Sequence, residues 1–357
     1  TAFSTLATSG VAAIRGMFTL SSSALYVVSG TKLCKVSAAG SETNITATLP
    51  ASGLVTMARN RKEPNAQIGI AVGGEFWICE NDAATEIDLA PLASTTLTSV
   101  AALDGYFLLL FDNGEFFVSS IDDSTIDPLD FAKAESSPDA GVVVKIRGRE
   151  AVLFGEQSTE YWTNTGAADF PFERASSANF GCWAAGSAVN IGDTIVFAAT
   201  DADGAYAGIS MLDGYSARKV STLYVDRAIV AETNKTAIKA FSWSLSGHTF
   251  YAISTSTATH VYDMSTGQWH ERTSSGLAFW RVACACSFGT KVIVGDYTLS
   301  KLYWLKEGLY DAGTASILTL KHSNNAGTAW NATRTASLNT ADGSGNSIRI
   351  NRLGQSK

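Results

Sequence analysis

Charge is scarce in this chain. Lys, Arg, Asp and Glu together account for 17% of its 357 residues, and no run of five or more basic residues occurs anywhere. With a formal net charge of −7, the chain lacks the clustered Lys and Arg that grip a phosphate backbone. Proline is limited to 6 residues. No apolar run reaches the length of about eighteen residues that a membrane-spanning helix needs, and no charged-then-apolar signal segment opens the chain. Membrane insertion is therefore not expected, and the protein is expected to be soluble. The first residue is Thr1, so an upstream piece is expected to have been removed or left out.

Histidine is also sparse. His248, His260, His270 and His322 form neither an H-x-x-x-H nor an H-E-x-x-H pattern, which leaves metal ligation and a nucleophile–base pair unsupported. No Gly-x-Ser-x-Gly elbow, P-loop or dinucleotide fingerprint is present, so no catalytic, cofactor-binding or metal residue is assigned. The cysteines Cys34, Cys79, Cys182, Cys284 and Cys286 are odd in number and lie in apolar surroundings, which reads as buried free thiols in a reducing cytoplasm. Cys284-Ala285-Cys286 puts two thiols on one strand face without a second pair to complete a zinc site.

What the chain does have is glycine, small polar residues and a repeat. Apolar cores recur as Leu25-Tyr26-Val27-Val28, Ile68 to Val72, Tyr106 to Leu110, Ala151 to Phe154, Thr194 to Phe197, Thr249 to Ile253 and Lys291 to Val294. Successive cores start about 40 to 50 residues apart, the length of one four-stranded propeller blade. Each core is followed by a turn and a second strand, usually aromatic, such as Glu75-Phe76-Trp77-Ile78, Glu115-Phe116-Phe117-Val118 or Thr159-Glu160-Tyr161-Trp162. Asp104-Gly105, Asn113-Gly114, Gly192-Asp193, Asp203-Gly204, Asp213-Gly214 and Thr266-Gly267 supply hairpin turns. The fold class read from this pattern is all-β, a β-propeller of about seven blades (six to eight) with a small C-terminal β extension. Residues 1–13 form an N-terminal segment that could supply a propeller-closing strand, 14–311 the propeller, and 312–357 the extension. Helix is expected only as a short connector within 218–239, where Val225, Ile229 and Val230 are helically spaced.

Two turns resemble propeller motifs. Ser323 to Trp330 resembles the Asp-box turn of sialidase-type propellers, with Asn325 in the Asp position. Asp263-Met264-Ser265-Thr266-Gly267-Gln268-Trp269 resembles the Asp-x-x-Thr-x-x-Trp turn of kelch-like blades. Both are folding elements. A glycosidase needs two carboxylates facing across a cleft, whereas Asp122, Asp123, Asp127 and Asp130 cluster on one acidic loop. Nothing in the settings of Arg147, Arg149, Arg174 and Arg281 marks an arginine group converging on a substrate carboxylate.

A series of segments in order carries a resemblance. It runs from Arg15-Gly16-Met17 through Asp104-Gly105-Tyr106, Asp127-Pro128-Leu129-Asp130-Phe131, Gly155 to Glu160 and Asp169-Phe170-Pro171-Phe172. It continues with Gly247-His248-Thr249-Phe250-Tyr251 and with Tyr262-Asp263 through Trp269-His270-Glu271-Arg272. Taken together these resemble the packaged-DNA stabilisation proteins of short-tailed bacteriophages, also called tail hub or nozzle proteins. The series, and no single motif, is specific, and against the family pattern the chain is short at its N-terminal end.

The resemblance implies a non-enzymatic virion protein without cofactors, assembled in the host cytoplasm and located in the tail. It implies a homo-oligomeric ring, expected to be a hexamer, below the portal and its adaptor proteins. The ring would extend the DNA channel, retain the packaged genome, dock a tail spike or fibre and hold a plug or needle protein. Double-stranded DNA would pass transiently and without sequence preference. The competing reading is a carbohydrate-binding or glycosidase-type propeller, motivated by the two turns and by Trp162, Trp183 and Trp280 as candidate exposed aromatics.

Overall fold

A run such as Phe107-Leu108-Leu109-Leu110-Phe111 has no polar alternation because both of its faces are covered. In the computed structural model, which describes residues 2–8, 12–92, 95–134, 139–274, 276–306, 317–320 and 334–337, each apolar core is the second strand of a blade. Leu108 and Leu110 point into one cluster with Val144, Leu153 and Trp162 of the next blade. Phe107, Leu109 and Phe111 point the opposite way, into a cluster with Ala71, Phe76 and Ile78 of the preceding blade. The period-2 alternation of a strand thus becomes two interleaved apolar faces.

There are seven blades, each an antiparallel meander. Blade I comprises Ile14–Ser21, Ala24–Ser29, Lys32–Ser37 and Glu42–Ile45, and blade II Val55–Arg59, Ile68–Val72, Glu75–Glu80 and Ala83–Ile87. Blade III is built from Leu97–Leu103, Tyr106–Phe111, Glu115–Ser119 and Ile126–Lys133, and blade IV from Gly141–Arg147, Glu150–Gly155, Thr159–Asn164 and Phe172–Ala178. Blade V has a divided first strand, Gly181–Cys182 and Val189–Ile191, both pairing with Thr194–Thr200, followed by Tyr206–Asp213 and Ser216–Lys219. Blade VI contains Lys239–Leu245, His248–Ser254, Thr259–Asp263 and Gln268–Glu271. Blade VII contains Val282–Phe288, Lys291–Asp296 and Lys301–Lys306, and its fourth strand is the N-terminal Ala2–Thr8.

The core is therefore a circle of inter-blade layers. Ile14, Leu25, Val27 and Val36 of blade I meet Phe288, Ile293 and Leu302 of blade VII in the layer that closes it. The first strands line the axis and pack closely there. A Cβ on Gly16 would lie 2.6 Å from Val55 Cγ1, and between second strands one on Gly69 would lie 2.9 Å from Phe107 Cε1, so these seams admit no side chain. The hairpin at Asp104-Gly105 needs two positive φ angles, 52° and 97°, as the Asp-Gly pair foretells.

The helix Leu223–Ala231 joins blades V and VI, and it buries Val225 and Ile229 while Val230 is exposed. The chain divides into two units, Phe3–Leu305 and a second composed of Thr1–Ala2 with Lys306–Lys357. In the second, Ile317–Leu320 pairs antiparallel with Arg334–Ser337. The Asp-box-like segment 323–330 and the expected strand at 347–352 lie outside the described residues, as does His322.

Buried carboxylates pin the blades. Asp296, fully buried, accepts hydrogen bonds from the backbone of Thr298 and Leu299, each at 2.9 Å, and meets Arg281 Nε at 2.8 Å. Burial alone would raise its pKa, but these donors and the Arg281 charge outweigh it and hold the carboxyl below its ordinary 3.8. A depressed folded-state pKa contributes stability that is complete above the unfolded value and is lost as pH falls below it. We expect Asp296→Asn to cost about 2 kcal/mol at neutral pH, because Arg281 remains partly solvated, and to flatten the acid limb of stability below about pH 4. Urea denaturation at pH 7 and pH 3 measures both. Removal of residues 2–8 leaves blade VII without its outer strand and is expected to lower the melting temperature by more than about 5 °C; a scan of the truncated chain checks this.

Candidate functional site

The residues carried by the resemblance are distributed over blades I, III, IV and VI, and they are engaged in structure. Arg15 donates through Nη1 to Gly30 O at 2.9 Å and to Pro50 O, and through Nη2 to Gly53 O at 3.0 Å, which ties the first blade to the linker before the second. Gly16 beside it allows the blade I–II approach. Phe172 is buried at the blade III–IV seam, where its ring meets Tyr106 at 5.7 Å; Phe170 meets Phe116 at 5.6 Å. Pro171 O accepts from Thr165 N at 2.8 Å and closes that turn.

The kelch-like turn in blade VI is built around Asp263. Its carboxylate accepts from Ser265 N at 2.8 Å and Thr266 Oγ1 at 3.0 Å, and His248 Nδ1 lies 2.8 Å from Oδ2. Burial opposes its ionisation, yet the Ser265 amide, His248 and Thr266 prevail and lower its pKa. Trp269 covers the Tyr262 ring at 5.1 Å and donates from Nε1 to Val220 O at 2.8 Å, which links the turn to the blade V–VI connection. Gly247, at φ 80°, forms the hairpin that presents His248. The His–Asp pair thus belongs to a pinned hairpin, with no serine or cysteine bonded to the imidazole among the described residues.

Asp127, Pro128, Asp130 and Phe131 differ from the turn read in the sequence. They lie within the outer strand Ile126–Lys133. The register passes from Phe117↔Phe131 to Ser119↔Ile126, so residues 127–130 bulge off the ladder opposite a single residue, with Asp127 Oδ1 capping Leu129 N at 2.9 Å. A proline cannot donate to a ladder, which is why it sits on an outer edge at a bulge. Leu129 there is 82% exposed and Phe131 43% exposed, with Phe131 stacked on Phe117.

The charged groups weighed for catalysis do not converge. Asp122 faces Arg61 at 3.6 Å and Asp123 faces Lys62 at 3.7 Å. Arg147 binds Glu150 and Arg174 binds Glu160 as separate pairs in blade IV, and Arg281 binds Asp296 in blade VII. No group of three His, Cys, Asp or Glu able to hold a metal occurs among the described residues. Burial pushes the thiols of Cys79 and Cys284 up to about 12 and those of Cys182 and Cys286 to about 11, which leaves them unreactive. Cys284 and Cys286 are only partly buried, unlike the other three, because they lie on an axial strand. Two of the three tryptophans expected at the surface are covered: Trp162 is 8% and Trp280 3% exposed.

A concavity lies on the propeller axis. It holds about 580 Å³ and takes lining residues from all seven blades or their linkers, among them Arg15, Val55, Asp112, Lys145, Asn190 and Ala283. No individual residue type in the sequence announces it, since its walls come together only when the circle closes. No helix among the described residues is long and apolar enough to cross a membrane.

Comparison with known proteins agrees with this architecture. The structure is similar to the WD40 β-propeller domain of Doa1, with TM-score 0.54, 11% identity, and coverage of 86% of this chain and 98% of that one. It is also similar to BBS1N in complex with ARL6DN, with TM-score 0.50, 10% identity, and coverage of 83% and 92%. At such identities these establish a shared fold and nothing more. No curated protein matches. The phage stabilisation family described as bacteriophage P22 Gp10, β-propeller, matches residues 3–310, and the chain belongs to that family.

Proposed function

We propose that this chain is a subunit of a hexameric tail hub, or nozzle, seated below the portal and adaptor proteins of a short-tailed phage. Membership of the phage stabilisation family makes it a phage structural protein, and the match over residues 3–310 carries the reading. In this reading the ring lengthens the DNA conduit, retains packaged genome, and offers its outer face to a tail spike or fibre and its lumen to a plug or needle. The chain works as a part of the particle and not as an enzyme.

Four physical features support this. Of the carboxylates and arginines considered for catalysis, Asp122, Asp123, Arg147, Arg174 and Arg281 are held in separate ion pairs, and no convergent set is assembled among the described residues. A circle of sheets each covered on both faces suits a part that must resist internal pressure, and it leaves few long open edges. The net charge of −7 favours sliding of a duplex over clamping it. The bulged edge of blade III, with Leu129 and Phe131 exposed, is suited to subunit contact, since exposed apolar side chains at a single edge mark interaction surfaces. The carbohydrate reading keeps only Trp183 of its three candidate aromatics, since Trp162 and Trp280 are buried.

Electron microscopy of particles tests the location: seven-bladed propellers repeated about the portal axis are expected below the adaptor. A monomer away from that axis, or release of sugar from surface polysaccharide by the purified chain, would overturn the proposal. Leu129→Asp with Phe131→Asp is expected to cut the assembled fraction about tenfold or more in analytical ultracentrifugation while the far-ultraviolet circular dichroism stays unchanged.

A further inference from the structure

The cavity on the axis has the opposite charge balance to the chain as a whole. Its lining contains four cations, Arg15, Lys145, Lys235 and Lys239, and two carboxylates, Asp112 and Glu156, both exposed. None of these cations has a carboxylate within 4 Å among the described residues. Arg15 is neutralised by three backbone carbonyls. The Lys235 ammonium sits 3.8 Å over the Trp183 ring and that of Lys239 5.1 Å over Tyr297. Lys145 is on the first strand of blade IV and has neither an acceptor nor an aromatic face.

Cations gathered without counter-charges are costly to a fold unless something binds there. Burial lowers the pKa of Lys145 and of Lys239, and the nearby Arg15 charge adds to the effect on Lys239. An independent observation is Trp183, which lines the same cavity and has a buried indole N–H with no acceptor. Three kinds of donor, all lacking anionic partners, thus share one cavity with apolar walls from Met17, Val55, Val142 and Ile238.

We propose that the axial cavity binds a small oxyanion, a molecule bearing phosphate or carboxylate groups, held by Lys145 and Lys239 with Lys235 at the rim. A volume of about 580 Å³ falls in the range of small-molecule sites. The walls are first strands fixed by packing on neighbouring blades, so the donors are preorganised, and a nucleic acid duplex is too wide to enter. The site is complete within one subunit, so its failure would leave the ring reading untouched.

Isothermal titration calorimetry of the whole chain at low salt, with inorganic pyrophosphate and separately with citrate, provides the test. Saturable binding at one site per chain is expected, and the tighter of the two ligands tells whether phosphate or carboxylate is preferred. Lys145→Met and Lys239→Met should each weaken binding about tenfold or more, whereas Lys133→Met on the outer strand of blade III should leave it unchanged. Lys235→Met alters an exposed residue and will fold whatever becomes of the other two; a loss of about threefold is expected. The ligand should also raise the melting temperature of the wild type and not of Lys145→Met. No saturable heat with either anion at millimolar concentration, or equal weakening by Lys133→Met, would overturn the proposal.

Discussion

The molecule depends on the burial of one strand from both sides. In every blade the second strand is sandwiched between its neighbours' sheets, with odd and even residues delivered to different inter-blade layers. Full burial of a Leu, Val or Phe contributes about 1.5–3 kcal/mol, and runs such as Phe107 to Phe111 or Ala151 to Phe154 are fully or almost fully buried. No layer belongs to one blade, so none can be completed unless both of its neighbours are in place. The last layer, between blades VII and I, joins residues from opposite ends of the propeller.

That constraint explains what the sequence discloses and what it hides. Second strands are legible as unbroken apolar runs, and third strands as aromatic ones, because burial dictates their composition. Fourth strands such as Ser216–Lys219 and Gln268–Glu271 are short, polar and exposed. They are placed by pairing with a neighbour, so their own residues carry little signal. The bulge at residues 127–130 reads as a turn from Pro128 and the flanking aspartates, since proline and Asp mark turns and outer-edge bulges alike. The Asp263-to-Trp269 turn is legible because each of its side chains has a fixed local task. The axial cations are not legible at all: Arg15, Lys145 and Lys239 come from blades I, IV and VI, and total composition points the other way.

Function follows from how charge is used. Across the propeller wall, ion pairs serve as pins, Asp296 with Arg281 and Glu160 with Arg174 among them. Pairs of this kind fix local geometry. The chain belongs to a phage stabilisation family described as a β-propeller, and such pins serve the rigidity of that body. The exception is the axis, where four cations share one cavity with only two carboxylates, both exposed.

The N-terminal outer strand of blade VII has a consequence for biosynthesis. Ala2–Thr8 is made some three hundred residues before its partner Lys301–Lys306. At about 5–20 residues per second the first strand waits roughly 15 to 60 s with its backbone unpaired. Such a contact has the largest sequence separation the propeller can offer and belongs among the last to form. Until then each nascent chain carries an open sheet edge, so the interval before closure is when neighbouring chains on a polysome are most apt to pair wrongly.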